Sequence, residues 1–223
     1  MLNNWCKFKL FARVIIFCIF EETPTTHMNS SRNLIIDALE NALTYEQYKA
    51  HWETLLQSET PHEYQSYYEL NKVRFARVEK TVELLPEWSE VPTDFPLVIV
   101  AITEQWCGDA AQTIPVVEKL KSLFPNLETY YVLRDENLPL MDAFLTNGAR
   151  NIPKLLLLEA DQMGLLATWG PRPKALNKKV DEWKFQYGGM TEEVKVEIQK
   201  WYNQDRSVST QKEWIECLKR ELS

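Results

Sequence analysis

Two stretches of this chain are apolar at every position rather than at alternate ones: Leu97-Val98-Ile99-Val100-Ala101-Ile102 and Leu155-Leu156-Leu157-Leu158. A strand with one wet face alternates apolar and polar residues, so such runs belong to central strands covered on both sides. Helical periodicity on either side of them supplies the cover, and the chain reads as an α/β fold.

The residues just after the first run carry the chemistry. Glu104-Gln105-Trp106-Cys107-Gly108-Asp109-Ala110 leads into an amphipathic stretch with Ile114, Val117, Leu120 and Phe124 on one face, so Cys107 stands where a buried strand becomes a helix. The first turn of a helix presents unpaired backbone N–H groups and the positive end of the dipole, and both favour a thiolate. Position 110, where a Cys-x-x-Cys pair would need its second thiol, is Ala110. Redox chemistry at Cys107 must therefore draw its second sulfur from another molecule.

Three features in order resemble the thioredoxin family. Trp106-Cys107-Gly108 matches the start of its Trp-Cys-Gly-Pro-Cys site, with Asp109 and Ala110 departing from the last two positions. Pro115 matches the proline that kinks the active-site helix, and Asn151-Ile152-Pro153 before Lys154–Leu158 looks like the cis-proline loop entering a central strand. The similarity covers Leu97 to Trp183. It implies a thioredoxin-like fold, a central mixed sheet flanked by helices, with N- and C-terminal helical extensions here.

The resemblance also implies roles. A cis bond before Pro153 would present Ile152 to Cys107 as a strand-like edge for extended peptides. Trp106 and Gly108 would line the same groove, and Arg150 is placed to pair with Asp109 or to hold an anionic substrate. Cys107 is the catalytic candidate, with Asp109 as proton carrier or polar anchor. The buried acid that thioredoxins carry six residues before their first cysteine is replaced by Ala101. Helix placement predicts a lowered Cys107 pKa, while a close Asp109 would oppose it.

Composition excludes other classes. With 223 residues, 45% of them hydrophobic, the chain can bury one good core without forming two full domains, and a net charge of −7 argues against nucleic acid or anionic membrane as partner. Cys6, Cys18, Cys107 and Cys217 show no framework or zinc spacing, and His27, His51 and His62 all precede the site. No metal and no cofactor is expected. This cysteine usage fits a reducing, cytoplasmic setting. Cys217, on the apolar face of a terminal helix, reads as a small hydrophobe rather than a resolving thiol.

The first residues allow three readings. Lys7, Lys9 and Arg13 before Val14–Phe20 imitate a secretory signal, but the run is short, ends in Glu21-Glu22 and lacks an Ala-x-Ala-like site. It is also too short to span a bilayer. Alternatively Met28 is the true start, or the segment is a tail. The expected organisation is 1–27 as targeting segment or mis-assigned start, 28–95 as helical extension, 96–187 as thioredoxin-like core and 188–223 as terminal helices.

Within that plan, periodicity predicts helix over 31–57 with a break near Thr44, and another helix capped by Thr60-Pro61-His62-Glu63 and carrying Tyr64, Tyr68, Phe75, Val78 and Val82. Beyond the Pro86, Pro92 and Pro96 linker come a strand at 97–102, a helix at 107–124, a strand at 128–133 and a helix at 138–146 stopped by Asn147-Gly148. Two more strands are expected at 154–158 and 165–169. A helix with Leu176, Val180, Trp183 and Tyr187 should then pack on the sheet, before two terminal helices. Two functions are open: a single-cysteine oxidoreductase acting on a disulfide- or thiol-containing protein or low-molecular-weight thiol, and a redox-inactive binding module on the same fold.

Overall fold

The computed structural model describes residues 24–58 and 63–222. The sheet, the core and the site all lie in the compact unit that begins at Ser31. The apolar run at 14–20 and the Thr60–His62 helix start lie outside the described residues.

The two apolar runs become the two inner strands. β1 (Leu97–Thr103) is buried at all seven positions. It pairs in parallel with β2 (Leu127–Leu133) and antiparallel with β3 (Lys154–Glu159), Val100 facing Leu156. β4 (Leu165–Trp169) closes the far edge, giving the order β2-β1-β3-β4. The sheet is mixed and flanked by helices, as the resemblance implies.

α1 (Pro24–Leu39) and α2 (Tyr45–Leu56) are separated at the predicted break. There the Thr44 hydroxyl accepts from the Gln47 N–H, and the Gln47 side chain accepts from the Thr44 N–H at 2.8 Å. Such a reciprocal pair satisfies two of the donors that a helix start leaves orphaned. Leu43 and Tyr131 exchange backbone hydrogen bonds at 2.8 and 2.9 Å, which ties this corner to the edge strand β2. α3 (Gln65–Thr81) buries Tyr68, Asn71, Phe75 and Val78. Trp52 meets Phe75 edge-on at 5.2 Å, and Tyr48 lies 5.1 Å from Tyr131, so these aromatics pack the leading helices onto the sheet. A 3-10 turn (Pro86–Glu90) then places Trp88 in the core.

α4 (Ala110–Leu120) contains Pro115 and is shorter than predicted at both ends, with Cys107 in the turn before it. α5 (Leu138–Ala143) also ends early, because Phe144 leaves the helical region. Asn147-Gly148 therefore do not stop the helix; both at positive φ, they turn the chain between the paired Thr146 and Ala149.

α6 (Lys174–Tyr187) corrects one expectation. Leu176 and Val180 pack not on the sheet but on Val194, Ile198 and Tyr202 of α7 (Glu192–Asp205), in a cluster separate from the main core. The apolar stripe of α6 is narrow, with Tyr187 41% exposed, and so suits one neighbouring helix rather than a sheet face. α8 (Val208–Glu221) takes the place on the sheet, where Trp214 lies 6.1 Å from Trp169 of β4.

Candidate functional site

Cys107 is held from both sides of its turn. Its N–H donates to the Glu104 carbonyl at 3.1 Å, and its carbonyl accepts from the Ala111 N–H at 3.2 Å. The thiol donates to the Ile152 carbonyl at 3.3 Å, and the Ile152–Pro153 bond is cis. Sequence reasoning thus placed Cys107, Ile152 and Pro153 together, and the structure joins them.

The electrostatics run opposite to the lowered pKa predicted from helix placement. Burial, then the Asp109 charge, push the Cys107 thiol up to about 12, against the N–H groups of Ala110 and Asp109 and the Arg172 charge, which favour the thiolate. At 7% exposure, desolvation outweighs the helix start. At neutral pH Cys107 is a thiol in this arrangement.

Asp109 does not pair with Arg150, whose guanidinium is engaged by Asp142 at 2.6 and 2.8 Å on the surface. Its partners come from the C-terminal third: Arg172 Nη2 at 2.6 Å and the buried Tyr202 hydroxyl at 3.0 Å. Arg172 arrives through a close backbone approach. Gly170 has φ +121°, and a Cβ there would lie 2.1 Å from the Pro153 carbonyl oxygen, so the cis-proline loop and the chain leading to Arg172 can touch only through a glycine.

Gly108 is enclosed similarly. A Cβ would sit 3.2 Å from Gln199 Nε2 of α7 and 3.4 Å from Arg74 Nη1 of α3. Gln112 donates to Gln199 at 2.8 Å and accepts from Arg77 at 3.4 Å, so α3 and α7 meet over the first turn of α4. Trp106 stacks on Tyr64 at 4.9 Å, with Arg134 4.7 Å from its ring centre.

Several residues of this site escaped the sequence reading. Asn71, fully buried on α3, donates to the Gln105 carbonyl at 3.2 Å and so braces the turn. Glu104, 8% exposed, accepts from the Asp135 N–H at 2.9 Å. Burial pushes its carboxyl up to about 7, against the Asp135 N–H, which favours the carboxylate. Glu104 is legible in hindsight as an acid ending an apolar strand, whereas Asn71, Arg172 and Tyr202 carry no local signal. Among the described residues, no group of three or more His, Cys, Asp or Glu side chains is gathered to hold a metal, and no helix is long and apolar enough to cross a membrane.

A thiol at a strand-to-helix turn, facing a cis-proline loop across a mixed sheet, has a family. The thioredoxin family model matches residues 58–184, more than half of the sequence, and the chain belongs to that family. The match takes in α3, which the Leu97–Trp183 resemblance had left out. No curated protein matches the sequence. Among solved structures, a Pseudomonas aeruginosa protein of unknown function aligns with a TM-score of 0.52 at 14% identity, covering 84% of this chain and 95% of its own. An HIV epitope-scaffold aligns with a TM-score of 0.48 at 16% identity, covering 73% of this chain and 93% of its own. The Pseudomonas likeness supports the fold alone.

Proposed function

We propose that this protein is a thiol/disulfide oxidoreductase in which Cys107 is the single nucleophile and an external thiol resolves the adduct. The observation that carries the reading is the setting of the sulfur: it lies against the Ile152 carbonyl beside cis-Pro153, with the Asp109 and Ala110 N–H groups disposed to favour a thiolate. After loss of its proton, Cys107 attacks a substrate disulfide, forms a mixed disulfide with one half and releases the other as a thiolate. A second thiol then attacks the mixed disulfide, frees Cys107 and leaves with the bound half as a new disulfide. Ile152 and Pro153 offer the strand-like edge, Trp106 and Gly108 border it, and Asp109 anchors the turn through Arg172 and Tyr202. The substrate is a disulfide- or thiol-containing protein or a low-molecular-weight thiol, consistent with a cytoplasmic setting. Because burial and the Asp109 charge keep Cys107 protonated, exchange requires the groove to open to the substrate.

A second reading, a redox-silent module that binds a protein segment in the same groove, is favoured by one observation: the 7% exposure and raised pKa of Cys107. Exchange with a neutral disulfide, bis(2-hydroxyethyl) disulfide, separates the two. In the oxidoreductase, Cys107→Ser abolishes turnover while Cys217→Ser does not, and the rate climbs about tenfold per pH unit beyond pH 8.5, as a raised thiol pKa demands. Equal turnover in folded Cys107→Ser would overturn the oxidoreductase and leave the binding module.

A further inference from the structure

We propose that Arg74 and Arg77 of α3 form, beside Gly108, a subsite for an oxyanion carried by the molecule that exchanges with Cys107. This substrate class rests on the oxidoreductase reading above.

Three guanidinium groups gather at the Cys107 turn and the first turn of α4 that follows it. Arg172 is neutralised there by Asp109 at 2.6 Å, and the remaining Asp109 oxygen is taken by Tyr202. The other two hydrogen-bond only to neutral side chains among the described residues. Arg74 donates to the Asn71 side-chain oxygen at 2.8 Å, and Arg77 donates weakly to Gln112 at 3.4 Å. Neither makes an ion pair with a described carboxylate, although the sequence holds 32 Asp and Glu against 25 Lys and Arg. Lys195 of α7, next along this seam, is already neutralised by Glu192 at 2.6 Å.

The placement of the pair is as telling as its lack of carboxylates. Arg74 is partly buried, with Nη1 3.4 Å from the Cβ position of Gly108, one residue from the thiol. Its shortest polar contact is to Asn71, which is itself fixed to the Gln105 carbonyl, so the guanidinium is held rather than free to trail into water. Burial, then the like charge of Arg77, disfavour the charged state of Arg74, and the Asp109 carboxylate, already engaged by Arg172 and Tyr202, offsets them only in part, a cost that an incoming anion would relieve. The positive end of α4 adds to the same field. On the Asp109 side of the turn, Arg172 Nε is a further buried donor without an acceptor. Carboxylate, sulfonate and phosphate share the geometry that two guanidinium groups recognise.

The test uses the full chain and two reagents of identical chemistry and opposite charge, sulfonatoethyl and trimethylammonioethyl methanethiosulfonate. Each transfers its thioalkyl group to the Cys107 thiolate and expels methanesulfinate, and peptide mass spectrometry counts modification at Cys107 alone. The ratio of the two rates cancels the thiolate fraction. At low salt the anionic reagent should be preferred in wild type, and the ratio should fall about tenfold in Arg74→Gln/Arg77→Gln, converging at high salt. Exposed Arg77→Gln alone should lower it about threefold, and it guards against misfolding of the double variant. An unchanged ratio with Cys107 still labelled would overturn the subsite and leave the oxidoreductase standing. Absence of labelling would instead overturn the oxidoreductase. The subsite is then decided by thermal stability in inorganic phosphate against chloride at matched ionic strength: a gain lost in the double variant upholds it, and an equal gain overturns it.

Discussion

Glu104→Gln should stabilise the protein in a pH-dependent way. The Glu104 carboxyl is 8% exposed, accepts the Asp135 N–H, and is pushed by burial from its ordinary 4.5 to about 7. A carboxyl whose folded pKa is raised binds more protons in the native state than in the unfolded state between those two values. Its neutral form is therefore accommodated below pH 4.5, and stability is lost as pH rises towards 7. A rise from 4.5 to 7 corresponds to about 3 kcal/mol, an upper limit because structure relaxes around a buried charge. Glutamine keeps the shape and the acceptor for Asp135 but cannot ionise. Urea unfolding of wild type and Glu104→Gln from pH 4 to 8.5 isolates the effect, since the difference cancels groups common to both. The variant should match wild type near pH 4 and gain about 2–3 kcal/mol by pH 8. A difference that stays flat, or that favours wild type increasingly as pH rises, would show that Glu104 is hydrated and ionised, and would refute the reasoning.

Other substitutions probe the contacts that close the site. Gly170→Ala would drive a methyl group to 2.1 Å from the Pro153 carbonyl oxygen at φ +121°, so chemical denaturation should show a loss of about 3 kcal/mol or more; a loss under about 1 would show that the two loops separate freely. Asp109→Ala leaves Arg172 without its carboxylate and Tyr202 without its acceptor, and should cost about 3–5 kcal/mol in the same assay, with a near-neutral result excluding a buried ion pair. Gln211→Ala removes the acceptor shared by the Leu85 N–H and Trp88 Nε1 and the donor to the Glu83 carbonyl. A destabilisation of about 2–4 kcal/mol is expected, with proteolysis at the 86–90 turn as a local readout.

Local chemistry made much of the fold readable. The unbroken apolar runs at 97–102 and 155–158 left no wet face, so they had to be inner strands, and they are β1 and β3. Thr44 with Gln47, and Asn147-Gly148, are short-range signals whose geometry depends on neighbouring residues alone: the first starts a helix as expected, and the second makes a turn, although the helix before it has already ended at Ala143. Cys107, Ile152 and Pro153 were identified because each sits in a motif of a few residues. The packing of α6 was misjudged because periodicity reveals that a stripe is apolar but not what lies opposite it.

The sequence by itself determined the inner strands, the thiol at a strand-to-helix turn and the absence of a second thiol at position 110, because each is a property of neighbouring residues. Only the tertiary structure decided the state of that thiol. Arg172 lies 65 residues beyond Cys107 and Tyr202 lies 95 residues beyond it, yet Arg172 acts on the sulfur directly and both hold the Asp109 carboxylate whose charge bears on it. Desolvation and Coulomb interactions depend on distance through space, and folding alone brings such remote residues within that range.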